Sequence, residues 1–226
     1  MKGRRILKTA DGSLTYFNAA VGETYHSITG AFDEAFWKFI VPTGINGLAS
    51  HPFVVFDICF GMGYNTTAVL HSFLENMSEH GLMELYAFEQ DRWILEQIAR
   101  LKVPEYISES YSATRAFARA ALAGRCLKSE HFRLNLLIGD VRQTLPQLRL
   151  KADLIMLDPF SPKRAPELWE PRFIAEVRRH MAPGAVLTTF SCARSVRETL
   201  RAHGAHISDG PRLGRRGPST VAKVFK

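Results

Sequence analysis

With 226 residues, 46% hydrophobic and 23% charged, the chain is sized for one folded domain with a substantial core. A formal net charge of +7 favours an acidic partner such as nucleic acid. Cys59, Cys126 and Cys192 fit neither a disulfide framework nor zinc spacing, and no apolar run reaches the ~18 residues that cross a bilayer. The basic start lacks the apolar region of a signal peptide. A cytoplasmic monomer that binds no metal and no membrane is therefore expected.

Residues 5–18 alternate around Asp11-Gly12, the signal of a hairpin with a two-residue turn. A polar stretch, 22–27, leads into a helix from Ala31 to about Ile40, ended by Pro42. Strands are then expected near 53–59, 82–88, 132–138, 153–158, 184–190, 205–209 and 219–225. Helices are expected near 64–78, 91–101, 141–149, 171–181 and 193–202. This rhythm predicts a Rossmann-like α/β fold, a mostly parallel seven-stranded sheet with helices on both faces. Residues 1–50 form a hairpin-and-helix appendage and 51–226 the main domain. The Ala- and Arg-rich stretch inside 104–130 predicts an inserted amphipathic helix that covers the sheet. From Pro159 to Trp169 a proline-rich loop follows a strand, a place where loops carry function.

The run from Val54 to Asn65 contains a buried strand, a turn with Gly61 and Gly63, and a helix start. Glu89, Asp140 and Asp158 follow later apolar runs. With Asp57 they make four acidic strand ends facing one ligand groove. The third glycine of a dinucleotide fingerprint is absent, and no Gly-Lys-Ser/Thr phosphate loop follows. The pattern suits a ligand with a ribose and an adenine but no diphosphate. Asp57 or Glu89 then accepts from hydroxyls and an amino group, Asp140 from the adenine amine, and bare backbone at Gly61 and Gly63 allows close approach. Asp140 equally fits a helix cap. S-adenosyl-L-methionine has these parts, and the order of motifs resembles class I S-adenosyl-L-methionine-dependent methyltransferases. That family has glycine where this chain has Cys59, whose Cβ is expected to narrow the turn.

Asp158, in Asp158-Pro159-Phe160-Ser161-Pro162, is the catalytic candidate. Methyl transfer is an in-line displacement governed by alignment, and an amine must be neutral to attack. A carboxylate attracts the ammonium, orients the amine and accepts its proton. Phe160 and Trp169 are placed to stack on a planar base, though Trp169 serves equally well as core.

The block from Asp158 to Trp169, the run Met181-Ala-Pro183-Gly184 to Ser191, Phe60-Gly-x-Gly-Tyr64-Asn65 and Glu23-Thr24-Tyr25-His26-Ser27 resemble the methyltransferase domain of the MnmC family. The resemblance spans nearly the whole chain. It implies S-adenosyl-L-methionine as cofactor and conversion of 5-aminomethyl-(2-thio)uridine at the tRNA wobble position to the 5-methylaminomethyl form. It further implies Asp158 at the reaction centre, and Gly61, Gly63, Glu89 and Asp140 on the donor. Tyr25 and Ser27 belong to a segment closing over the donor. Pro159, Phe160 and Trp169 are expected to hold the base. Arg212, Arg215 and Arg216, in a glycine-flanked loop, are expected to hold the phosphates of the anticodon stem-loop. No second dinucleotide fingerprint is present, so a methyltransferase without the flavin oxidoreductase half is expected. The rival expectations are a small-molecule amine methyl- or aminopropyl-transferase like spermidine synthase, and a non-catalytic RNA-binding protein on this fold.

Overall fold

The computed structural model describes residues 3–44, 52–75, 81–214 and 217–225. Strands β1 (Arg4–Lys8), β2 (Leu14–Asn18) and β3 (Glu23–Thr24) form a small antiparallel sheet. Lys8 pairs with Leu14, so the hairpin closes through five residues, 9–13, and not two. Asp11 explains the longer loop. Its Oδ1 accepts from Thr9 Oγ1 and Ser13 N, and its Oδ2 accepts from Phe32 N and Asp33 N at the start of the next helix. One carboxylate thus shapes the turn and serves the unpaired helix donors.

Helix α1 (Ala31–Glu34) widens into a π-helical segment, Ala35–Ile40. Ala31, Phe32, Ala35, Phe39 and Ile40 belong to the same buried cluster as the main strands, and Thr188 Oγ1 donates to Phe39 O (3.1 Å). Lys38, 1% exposed, pairs with Glu34 at 2.5 Å. A buried cation survives at such a position because it is paired.

The main strands are β4 (Phe53–Ile58), β5 (Met83–Glu89), β6 (Leu127–Lys128), β7 (Phe132–Ile138), β8 (Ala152–Leu157), β9 (Met181–Thr189), β10 (His206–Asp209) and β11 (Thr220–Lys223). They lie in the order β10-β11-β9-β8-β4-β5-β7-β6. The expected seven strands are joined by a two-residue edge strand, β6. The five central strands run parallel, while β6, β10 and β11 are antiparallel to their neighbours. From β4 the chain winds outward through β5 to β7, then returns to place β8 on the other side of β4. The crevice at this reversal is where open α/β sheets bind ligands.

Helices α2 (Tyr64–Glu75), α3 (Arg92–Ile98), α4 (Ser108–Leu122), α5 (Val141–Thr144), α6 (Pro171–Arg179) and α7 (Arg194–Ala202) connect these strands. Residues 76–78 of the helix expected at 64–78 lie outside the described residues. Helix α5 is short because Pro146 ends it in a 3-10 turn, and Met181 opens β9 where a helix end was expected. Helix α4 is the inserted amphipathic helix, burying Tyr111, Thr114, Phe117, Ala118 and Ala121 at helical spacing. Among the described residues no helix is long and apolar enough to cross a membrane.

Candidate active site

Register brings the acidic strand ends to one level. Ile58 lies opposite both Phe88 and Leu157, and Glu89 opposite Ile138, so Cys59, Glu89, Asp158 and Gly139 emerge side by side. A cavity of about 330 Å³ opens there, lined among others by Gly61, Glu89, Gly139, Asp140 and Asp158. A second chamber of about 350 Å³ adjoins it under the appendage, lined among others by Glu23, Ser27, Glu34 and Pro159. Tyr25, His26, Asp158 and Phe160 line both.

Glu89 organises the first chamber. Its Oε2 accepts from Gly61 N and its Oε1 from Asp91 N, each at 2.8 Å. Burial raises its pKa to about 7. Asp91 in turn accepts from Tyr25 Oη and pairs with Arg4, both at 2.7 Å, which pins the appendage over the chamber. Arg4 also lies 4.1 Å above the Trp93 ring. Asp140 performs both expected tasks. It caps α5 by accepting from Arg142 N, and it lines the chamber while paired with the Arg142 guanidinium, which lowers its pKa.

Asp158 is half-buried where the chambers meet. Asn65 Nδ2 donates to its Oδ2 at 2.9 Å, and Oδ1 accepts no hydrogen bond among the described residues. Desolvation, then the charge of Glu34, raises its pKa well above the carboxylate range. Phe160 packs against Tyr25, with ring centroids 5.1 Å apart.

Four expectations meet a different structure. Gly63 lines neither chamber, and a Cβ there would come within 2.5 Å of Thr114 Cγ2 and 2.8 Å of Phe60 Cζ, so its bare backbone serves the packing of the turn. Asp57 is fully buried one residue before the end of β4 and accepts from Thr66 Oγ1 (2.6 Å), lining neither chamber. Its task is to join strand to helix. Trp169 is 5% exposed, packs on Phe190 and donates to Phe160 O (2.7 Å), so it braces the loop from behind. Ser27 lines only the second chamber, where its Oγ shares a hydrogen bond with Thr29. Arg212 is exposed and lines neither chamber, and Arg215 and Arg216 lie outside the described residues. Gly214 of that loop stands against Ser27 and Thr29, near the second chamber. Asn65 and His26 lie in sequence motifs that by themselves assign them no role. Asp91 carried no motif at all, since its part depends on Arg4 and Tyr25 from a distant segment.

Burial raises the Asp57 pKa to about 7. Folded Asp57 keeps its proton up to that pH, whereas the unfolded chain releases it near 4. Its contribution to stability is therefore full below about pH 4 and lost as pH rises through 7, up to about 4 kcal/mol. Asp57→Asn cannot ionise and is expected to flatten that fall. Denaturant unfolding at pH 5 and pH 8 measures it, and an equal pH difference in variant and wild type would contradict the assignment.

Cys59 is the one non-glycine residue with positive φ (+69°) among the described residues. A side chain there costs on the order of 1 kcal/mol and stands in the chamber wall. Burial holds its thiol neutral by raising its pKa. Cys59→Gly is expected to fold normally and to tighten donor binding a few-fold by calorimetry. A tenfold weakening would make the cysteine itself a donor contact.

The first chamber fits the expected donor. A Cβ on Gly61 would come within 3.3 Å of Tyr25 Cδ1, so the bare backbone lets the Tyr25 ring close over the turn at the chamber wall. Glu89 retains lone pairs beyond its two main-chain bonds, and Asp140 stands on the same wall.

The sequence model of a family described as S-adenosyl-L-methionine-dependent methyltransferase matches residues 111–224. An uncharacterized protein of Methanocaldococcus jannaschii, MJ0670, is 32% identical over 96% of this chain and 58% of its own length. The bifunctional tRNA 5-methylaminomethyl-2-thiouridine biosynthesis protein MnmC of Ralstonia nicotianae is 28% identical over 92% of this chain. The chain spans only 33% of that relative. The crystal structure of MNMC2 from Aquifex aeolicus superposes with a TM-score of 0.81 at 28% identity, covering 100% of this chain and 73% of that one. A spermidine synthase with a transition-state analogue, at TM-score 0.60 and 14% identity over 99% and 70% of the two chains, shares the fold.

Proposed function

The chain belongs to the S-adenosyl-L-methionine-dependent methyltransferase family, and we propose that its acceptor is a tRNA base, the 5-aminomethyl group of a wobble uridine, 2-thiolated or not. The product is the 5-methylaminomethyl form. One observation carries the reading: Asp158 stands in the wall common to two chambers, one built for the donor and one roofed by the appendage. The names and extent of the MnmC relatives support the choice of acceptor.

S-adenosyl-L-methionine supplies an electrophilic methyl group, which the amine's lone pair takes as the C–S electron pair returns to sulfur. Glu89, Asp140 and Gly61, which line the first chamber, would hold it, while Gly63 lets the turn pack against Thr114 and Phe60. Asp158 releases its own proton to solvent as the substrate ammonium arrives, and pairs with it as a carboxylate. Its raised proton affinity suits it to take one proton from that nitrogen, freeing the lone pair. Asn65 holds the carboxylate in place through Oδ2, leaving Oδ1 for the amine. Phe160 and Pro159 border the base, while Arg212, Arg215 and Arg216 meet the anticodon stem by its phosphates. Residues 23–28 and Glu34 of the appendage wall the second chamber together with Asp158, so a base entering it must be unstacked.

A polyamine acceptor is disfavoured by how the chamber's carboxylates are spent. Glu23 accepts from Ser161 N and Oγ, and Glu34 from Ser27 N and Lys38, leaving Asp158 for one cationic nitrogen.

The test uses tRNA from cells blocked at the aminomethyl stage, with labelled donor and nucleoside mass spectrometry. Conversion of 5-aminomethyl-2-thiouridine to its methylaminomethyl form is expected. Donor binding without conversion would discard the wobble-uridine acceptor.

A further inference from the structure

His26 is 7% exposed, and its Nε2 has no hydrogen-bond partner among the described residues. Leaving a buried polar atom unpaired costs about 1–3 kcal/mol, so such an atom calls for an explanation. A flexible side chain is not that explanation. The His26 main-chain N–H donates to Thr15 Oγ1 (3.1 Å), and the ring meets Tyr64 edge-on with centroids 5.1 Å apart. The ring lines both chambers, as Asp158 does. A Cβ on Gly61 would stand 3.9 Å from Nε2, so this nitrogen faces the bare backbone of the donor turn.

We propose that His26 accepts, through Nε2, a hydrogen bond from the acceptor amine and so aims the nitrogen lone pair at the donor methyl. The proposal rests on the amine-methylation reading above. Burial, outweighing the attraction of Glu34 and Asp11, lowers the His26 pKa to about 4. The ring is neutral at physiological pH, and acceptance through Nε2 takes the tautomer with the proton on Nδ1, which leaves the Nε2 lone pair free. A cationic imidazole would repel the incoming ammonium; a neutral one receives it. The labour then divides between two residues. Asp158 takes the proton that must leave before attack, and His26 holds one of the remaining N–H bonds. Methyl transfer depends on alignment, and a nitrogen held at two points cannot swing its lone pair away from the reaction axis.

His26→Phe keeps a ring against Tyr64 and removes the acceptor, while His26→Gln restores an acceptor. Donor affinity is read by calorimetry, and methylation of aminomethyl-uridine tRNA in single turnover at saturating tRNA. Both variants are expected to bind the donor within about threefold of wild type. His26→Phe is expected to methylate about 50-fold more slowly, with His26→Gln recovering much of that loss. Wild-type rates in His26→Phe would overturn the proposal. So would a loss of donor affinity matching the loss of rate, which would place His26 on the donor. If His26→Phe does not fold, His26→Asn replaces it, since its shorter side chain withdraws the acceptor. A rate equal to that of His26→Gln would then overturn the proposal. If the wild-type protein binds donor and methylates no aminomethyl uridine, the substrate reading falls and this proposal falls with it. Transfer by wild type with an indifferent His26→Phe strikes only His26.

Discussion

Asp158→Asn is expected to lower turnover by about a thousandfold, roughly 4 kcal/mol of barrier, while donor affinity stays within about threefold of wild type. The substitution is nearly isosteric. The new amide can still present an oxygen to Asn65 Nδ2, so the loop after β8 keeps its anchor. What disappears is the carboxylate that forms as the ammonium arrives, and with it the base that takes its proton. The donor chamber keeps Glu89, Asp140 and the glycine turn, which is why binding and turnover separate. The fold should not suffer, because burial already disfavours the Asp158 charge. Single-turnover methylation beside calorimetric donor binding decides the matter. A variant that turns over like wild type removes Asp158 from the reaction.

Glu89→Gln should give the opposite division. Both Glu89 oxygens accept main-chain hydrogen bonds, one from Gly61 and one from Asp91. A glutamine has one oxygen to offer, and its amide group would confront the other N–H donor to donor. The glycine turn or the start of α3 then loses its acceptor, and the donor loses a carboxylate. Donor affinity is expected to fall about 100-fold, near 3 kcal/mol, with a smaller change in turnover at saturating donor. Calorimetry with S-adenosyl-L-methionine measures the first and a saturated assay the second. Unchanged affinity would mean that Glu89 only shapes the turn.

The order of elements was legible along the chain because it rests on local signals. Apolar runs of strand length, glycines at Gly61 and Gly63, and Asp140 as a cap each act within a few residues. The parallel sheet follows from their alternation, and the acidic residues at the ends of β5, β7 and β8 follow from where those runs stop. Asp158, Glu89 and Phe160 are therefore legible in the chain as residues at the mouth of the sheet. Only the tertiary structure decided what each polar group faces. Asp57 and Glu89 both close an apolar run, yet packing gives one to Thr66 inside the protein and leaves the other to the cavity. Trp169 and Phe160 share a loop, but one turns to Phe190 and the other to Tyr25. Asp91 and His26 act through partners far away in sequence, Tyr25 with Arg4 and the donor turn at Gly61. The sequence by itself determined the strands, the turns and which residues stand at the carboxyl edge. The union of two chambers at Asp158 was decided only by folding the appendage back over the sheet, because a contact between distant segments depends on packing and leaves no periodic trace along the chain.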